Sequence, residues 1–290
     1  MVMRVYEENG SLILSGTEDF DLCQTFDCGQ CFRWTKCGDI WEGVAFGHAL
    51  RLSQKGDTIT LFGVTLAGWE SVWKKYFDAE RDYGKIKTAI AKDSVMKEAT
   101  GFGGGIRILN QEPFECLISF IISASNNIPR IKKIIAVLCE NFGDKITYLG
   151  KSYYTFPTAE RLSTLTLEEL GVIKAGFRDK YILAAAKAVA EGRIDLECLK
   201  AASFDYAKAE LLKLPGVGNK VCECVLLFSL EKYSSFPIDV WIKRIMEYCY
   251  FDGEQDKETI SAFARERFGD LGGFAQQYLF FWARENKIGT

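Results

Sequence analysis

The hydrophobic period of this chain changes once, near residue 65, and that change limits the folds open to it. Before it, SLILSG, CFRWT, IWEGVAFG, ALRLSQ and TITLFGV read as short strands separated by Gly, Asp and Lys-Gly-Asp turns. After it, AGWESVWKKYF and YGKIKTAIAK place apolar residues three and four apart, the spacing of a helix face. GFGGGIRILNQEP (101–113) reads as a hinge, because no Gly-Lys-Ser/Thr follows to make it a phosphate cradle. From Glu112 onward the pattern is almost wholly helical, with helices expected near 112–124, 128–141, 159–162, 167–175, 178–191, 204–213, 219–231, 240–250, 256–267 and 273–286. Strands followed by helices make an α+β protein. The expected division is a β-rich domain over 1–105 and a helical domain over 106–290.

Composition narrows the functions. An apolar content of 48 % and a charged content of 26 % are ordinary for a globular protein. No apolar run approaches the roughly 18 residues a membrane span needs, and MVMRVYEENG has no apolar signal region. A cytoplasmic protein without membrane contact is expected. The ten cysteines are then reduced thiols. Cys23, Cys28 and Cys31 have a C-x4-C-x2-C spacing, with Cys37 close behind. An iron–sulfur site and small buried thiols on a strand both fit that spacing; the latter reading leaves the chain with no metal. A single histidine, His48, removes most zinc sites and histidine-based acid–base schemes. The net charge of −3 weighs mildly against nucleic acid, yet PRIKK (129–133) shows that a local basic face is available.

The chemistry concentrates in LPGVGNKVCECVLLFSL (214–230). Pro215 presets a turn, and Gly216 and Gly218 permit positive φ. Gly216, Val217 and Gly218 thus expose successive backbone N–H groups at a helix N-terminus, an anion site suited to a phosphate. A plain helix–turn–helix satisfies the hairpin equally well. Lys220 shifts the balance. A cation just inside a helix N-terminus opposes the dipole, and apolar neighbours disfavour its charge. Both effects favour the neutral, nucleophilic amine. Nineteen residues later, FPIDVWIKRI places Asp239 as a helix cap. A carboxylate held by backbone N–H groups stays ionised and can stabilise positive charge developing on a sugar.

A Leu-Pro-Gly-Val-Gly hairpin, a lysine two residues on and a later Pro-x-Asp resemble the helix–hairpin–helix Gly/Pro-Asp superfamily of DNA glycosylases. GQCFRW (29–34), GIRILNQEPFECLISFIISASNNIPRI (105–131), AGFRDKYI (175–182) and GGFAQQYLFF (272–281) narrow this to the 8-oxoguanine DNA glycosylase/AP-lyase family of eukaryotic type. The resemblance spans roughly residues 20–285. It implies a TATA-box-binding-protein-like antiparallel sheet domain, then a helical core of two lobes with the active site in their cleft. It implies monomeric action on double-stranded DNA containing 8-oxoguanine, with no cofactor. Lys220 would attack C1′, expel the base and form a Schiff base that β-elimination resolves, with Asp239 as its catalytic partner.

The resemblance also assigns the pocket. 8-Oxoguanine differs from guanine by O8 and by a hydrogen on N7, and the Gly29 carbonyl would accept from N7–H. Phe280 and Cys224 would sandwich the flipped base. Gln276 would read its Watson–Crick edge, with Pro237 at the same pocket. Arg130 and Arg178 would bind the orphaned cytosine, Phe177 would wedge the stack, and Asn126 and Asn127 would face the gap. Ser125 stands where the family has a further asparagine, and Trp241 where its well-known eukaryotic members have histidine. Both departures imply weaker preference for cytosine opposite the lesion. A monofunctional glycosylase for alkylated bases and a non-enzymatic hairpin module are the alternatives; Lys220 argues against the first, and the full pocket set against the second.

Overall fold

The computed structural model describes residues 3–288. Six strands form one antiparallel sheet: β1 Arg4–Glu8, β2 Ser11–Ser15, β3 Thr35–Cys37, β4 Ile40–Ala45, β5 His48–Lys55 and β6 Thr58–Phe62. Their spatial order is β1-β2-β6-β5-β4-β3. The register sets Leu12 opposite Leu61, Leu61 opposite Leu52, and Leu52 opposite Trp41. All four are buried, so one row of large side chains crosses four strands on a single face. The helical segment Leu66–Tyr76, with a π turn at Trp69–Trp73, lays Trp69, Trp73 and Phe77 on that face. The α+β class expected from the change of period is the one found.

A second core is helical. It gathers the helices Tyr83–Ile90, Ser94–Phe102, Pro113–Ser123 and those after them. Within it Phe120 stacks on Phe228 at 5.5 Å between centroids. The last helix, Gly272–Asn286, returns to pack along Ser94–Phe102. That return brings the end of the chain against its beginning: Gln277 Nε2 donates to the Cys28 carbonyl at 2.7 Å.

Residues 103–112 are no hinge. Their backbone is pinned by buried side chains: Leu109 N–H donates to Gln30 Oε1 at 2.9 Å and Ile108 N–H to the Tyr83 hydroxyl at 2.8 Å. Gln30 is fully buried and also donates to the Arg107 carbonyl at 2.7 Å. An Arg33–Glu115 ion pair at 3.0 Å, with both side chains nearly buried, joins the segment before β3 to the helix Pro113–Ser123.

The stretch around the cysteines is a strand only at β3, Thr35–Cys37. Leu22–Asp27 is a helix, capped by Asp21, whose side chain accepts from Gln24 N–H, and residues 31–34 have no regular structure. Cys28 and Cys31 are buried while Cys23 and Cys37 are exposed. Among the described residues there is no group of three or more His, Cys, Asp or Glu that could hold a metal. A hairpin of β7 Lys145–Tyr148 and β8 Lys151–Tyr154 also interrupts the helices. Its turn, Leu149-Gly150, takes positive φ at both positions, as a tight hairpin demands. Leucine there hides the turn from sequence. Among the described residues no helix is long and apolar enough to cross a membrane.

Glu112 caps the helix Pro113–Ser123, accepting from the N–H groups of Phe114 and Glu115. Burial pushes its carboxyl up to about 6 from the usual 4.5. The folded state therefore holds a proton that the unfolded state has released between those values. Its contribution to stability is present at low pH and is lost as pH rises through about 6. Glu112→Gln keeps an accepting oxygen without the charge. Its melting temperature, relative to the parent, is expected to rise as pH goes from 4.5 to 7 in a thermal melt series. A constant offset would contradict this.

Candidate active site

The hairpin forms as its residues dictate. Ser203 caps the helix Phe204–Leu212, its side chain accepting from Tyr206 N–H, and the chain turns through residues 213–218 into the helix Asn219–Phe228. Gly216 has φ +84°, and a Cβ there would lie 2.5 Å from the Tyr181 ring. Gly218 differs from expectation. It has ordinary φ of −91° as N-cap, and nothing lies within 4 Å of where its Cβ would be. Its lack of a side chain leaves the turn open to whatever approaches from outside. Gly216→Ala is expected to destabilise the fold by about 1–3 kcal/mol and to weaken duplex binding. Chemical denaturation and a binding titration check this; unchanged values would mean Tyr181 moves aside freely.

Lys220 leaves the first turn of this helix and spans the gap to the helix Pro113–Ser123. Its Nζ lies 3.2 Å from Ser123 Oγ and 4.9 Å from the Phe120 ring centroid, a cation–π distance. The Ser123 hydroxyl donates to the Phe120 carbonyl at 2.7 Å, which leaves its oxygen to accept from the lysine. Cys224 lies one turn along from Lys220 and is buried. Burial pushes its thiol up to about 11; the Lys220 amine opposes the rise and the Asp239 carboxylate adds to it. Asp239 caps the helix Val240–Tyr250, accepting from Ile242 N–H at 2.8 Å, as its place after Pro237 suggested.

Ser123, Lys220 and Asp239 face a cavity of about 960 Å³. Gly29, Asn126, Asn127, Gly216, Gly218, Lys220, Asp239, Trp241 and Phe280 all line it. Cys224, Pro237, Val217 and Gln276 are buried and do not form its wall. Gln276 precedes Phe280 by one turn, and its Oε1 is buried without a partner. Such an orphan acceptor is costly unless a ligand satisfies it. Sequence reasoning missed the polar wall residues Ser123, Asn219, Lys257 and Arg284. Arg284 was discoverable only through the C-terminal helix, which places it one turn beyond Phe280.

Four helices start at this cavity: Ile128–Phe142, Asn219–Phe228, Val240–Tyr250 and Lys257–Phe268. Their partial positive ends converge where the net charge of the chain is negative. Anionic phosphates are favoured at such termini, which resolves the conflict between an acidic composition and a polyanionic partner.

Arg130, Phe177 and Arg178 lie outside the cavity wall. Arg130 is exposed, and Phe177 is 57 % exposed. Arg178 is buried and donates to the carbonyls of Ala124, Ser125 and Ala175. Burial and the nearby Arg130 charge both lower its pKa. Ser125 takes φ +49°, an uncommon state for a residue with a side chain, and Arg178 holds that loop by its carbonyls. Asn127 caps the helix Ile128–Phe142, accepting from Arg130 N–H at 3.0 Å, and Asn126 donates to the Ile122 carbonyl at 3.1 Å.

Residues 12–117 match the family model of the 8-oxoguanine DNA glycosylase N-terminal domain. Residues 118–269 match that of the HhH-GPD superfamily of base excision DNA repair proteins. The chain belongs to the 8-oxoguanine DNA glycosylase family. An N-glycosylase/DNA lyase of Saccharomyces cerevisiae is 40 % identical over 267 residues, covering 83 % of this chain and 71 % of the relative. The N-glycosylase/DNA lyase OGG1 of Arabidopsis thaliana is 32 % identical over 277 residues, 88 % of this chain and 75 % of the relative. Among solved structures, the 8-oxoguanine glycosylase/lyase of Clostridium acetobutylicum was determined with double-stranded DNA carrying cytosine opposite 8-oxoguanine. It is 42 % identical, covers 99 % of this chain and 100 % of its own, and superposes with a TM-score of 0.96. The 3-methyladenine DNA glycosylase of Archaeoglobus fulgidus, at 23 % identity and a TM-score of 0.74, shares the fold.

Proposed function

We propose that this chain excises 8-oxoguanine from duplex DNA and then nicks the strand at the resulting site. The observation that carries the reading is the Lys220 amine in a family-type cavity, with the Asp239 carboxylate and Cys224 beside it. The base, flipped out of the stack, enters between Phe280 and Cys224. The deprotonated amine of Lys220 attacks C1′; the glycosidic bond breaks and its electron pair leaves with the base. Asp239, kept in place by Ile242 N–H, stabilises the positive charge that grows on the sugar. Opening of the sugar ring makes a Schiff base between Lys220 and C1′. Loss of a proton from C2′ then expels the 3′ phosphate, and hydrolysis frees the lysine.

Recognition follows from the N7–H of the lesion, from which the Gly29 carbonyl accepts, and from the Gln276 amide, whose oxygen has no partner among the described residues. Arg130, Phe177 and Arg178 act on the opposite strand, and Asn126, Asn127 and the open hairpin Gly216–Gly218 hold the backbone. Arg178 already spends its donors on the loop at 124–125, so reaching a cytosine requires that loop to shift.

Borohydride reduction during turnover, on a duplex with one 8-oxoguanine opposite cytosine, tests the reading. A covalent protein–DNA adduct is expected. Base release without an adduct would make the chain a monofunctional glycosylase, and neither would overturn the substrate.

A further inference from the structure

The backbone that precedes Gln30 is tied down one carbonyl at a time. The Asp27 carbonyl accepts from Arg284 Nη2 at 2.6 Å. The Cys28 carbonyl accepts from Gln277 Nε2 at 2.7 Å. The Gln30 carbonyl accepts from Gln111 Nε2 at 2.7 Å. Between them, the Gly29 carbonyl accepts from no described residue. Gly29 lies at φ +83°, in the wall of the cavity, and a Cβ there would be 3.2 Å from Phe280 and 3.6 Å from Arg284 Nη1.

Arg284 is the unusual member of this set. It lines the cavity, stands 5.4 Å from the Phe280 ring centroid, and pairs with Glu285 at 2.8 Å through the same nitrogen that holds Asp27. Its Nη1 is buried and unpartnered. A guanidinium half-satisfied beside an apolar ring is a cost that packing alone does not explain. Both Arg284 and Gln277 come from the C-terminal helix that carries Phe280. One rigid element thus sets the ring that stacks on the base and the backbone that would read it.

We propose that Arg284, with Gln277, is a specificity-positioning residue: it clamps the 27–28 backbone to the C-terminal helix so that the free Gly29 carbonyl faces the N7–H of 8-oxoguanine. This rests on the reading of Gly29 given under the proposed function. A carbonyl meets N7–H only over a narrow range of distance and angle. Release of the clamp lets the peptide drift, and the lesion loses its one distinguishing hydrogen bond. Cleavage at an abasic site has no base to read and does not use this contact.

The test compares two reactions of one variant. Arg284→Met keeps most of the side-chain volume and removes every donor. Single-turnover excision of 8-oxoguanine opposite cytosine is expected to fall about 10- to 100-fold, the loss typical of a misplaced reacting group. β-Elimination at a preformed abasic site in the same duplex should stay near the parent rate. Arg284→Lys, which keeps one donor for the Asp27 carbonyl, should recover part of the excision. Equal loss of both reactions would show a merely structural role and overturn the proposal, as would unchanged excision. Gly29→Ala separates the two layers of the inference, since its Cβ crowds Phe280. If Gly29→Ala excises normally, the Gly29 reading fails and the clamp with it. If Gly29→Ala loses excision and Arg284→Met does not, the clamp alone fails.

Discussion

Lys220→Gln is expected to abolish both base excision and strand cleavage while the protein still binds damaged duplex. Glutamine preserves most of the length and can still hydrogen-bond to Ser123 Oγ, which accepts from the lysine at 3.2 Å. The helix Asn219–Phe228 and the hairpin therefore keep their positions. What disappears is the amine that the proposed mechanism uses to form the C1′ bond. Removal of a covalent nucleophile lowers turnover by on the order of 10³- to 10⁶-fold. Duplex affinity should change little, because the converging helix N-termini and the hairpin amides remain. Borohydride should trap no adduct. Excision that persists in this variant would remove Lys220 from the nucleophile's role, and loss of binding along with activity would mean that the side chain holds the site together.

The second large effect concerns Asp239, whose carboxylate caps a helix and, in the proposed mechanism, also stabilises the charge on the sugar. As an N-cap it accepts from Ile242 N–H at 2.8 Å; as a charge it acts on the same surroundings as Lys220, which the Cys224 thiol registers. Asp239→Asn separates them. Asparagine caps a helix about as well as aspartate, so the melting temperature should hold. Loss of the negative charge beside the developing positive sugar should lower excision by about 10²- to 10³-fold, the scale of removing one preorganised electrostatic partner. Asp239→Ala should lose both, with about 1 kcal/mol of stability gone. Equal stability in all three proteins would deny the cap, and full excision by Asp239→Asn would deny the charge.

Local features were legible because local physics sets them. Ser203 and Asp239 cap the helices that follow them, and a capping side chain needs only the next three residues. The switch from strand period to helix period marked the two kinds of structure for the same reason. Misreadings arose where a local signal had two solutions. CFRWT alternates like a strand, but Asp21 starts a helix just before it and the buried side chain of Gln30 follows. β1 is an edge strand rich in charge, with four of its five residues exposed, so it lacks the apolar alternation that announces a strand.

The hairpin, the place of Lys220 in the first helical turn after it and the Asp239 cap belong to the sequence by itself: Pro215 and Gly216 make the turn, and Asp239 starts the later helix. Only the tertiary structure decided that Ser123 receives the Lys220 amine, that Lys257 starts a fourth helix at the cavity, and that Arg284 reaches the Asp27 carbonyl. Those partners are separated by long stretches of chain, and their meeting depends on how the C-terminal helix packs against Ser94–Phe102. Hydrogen-bond direction and dihedral preference are encoded within a few residues. The packing that carries Phe280 and Arg284 onto Gly29 is the sum of many buried contacts, and no short stretch of sequence contains it.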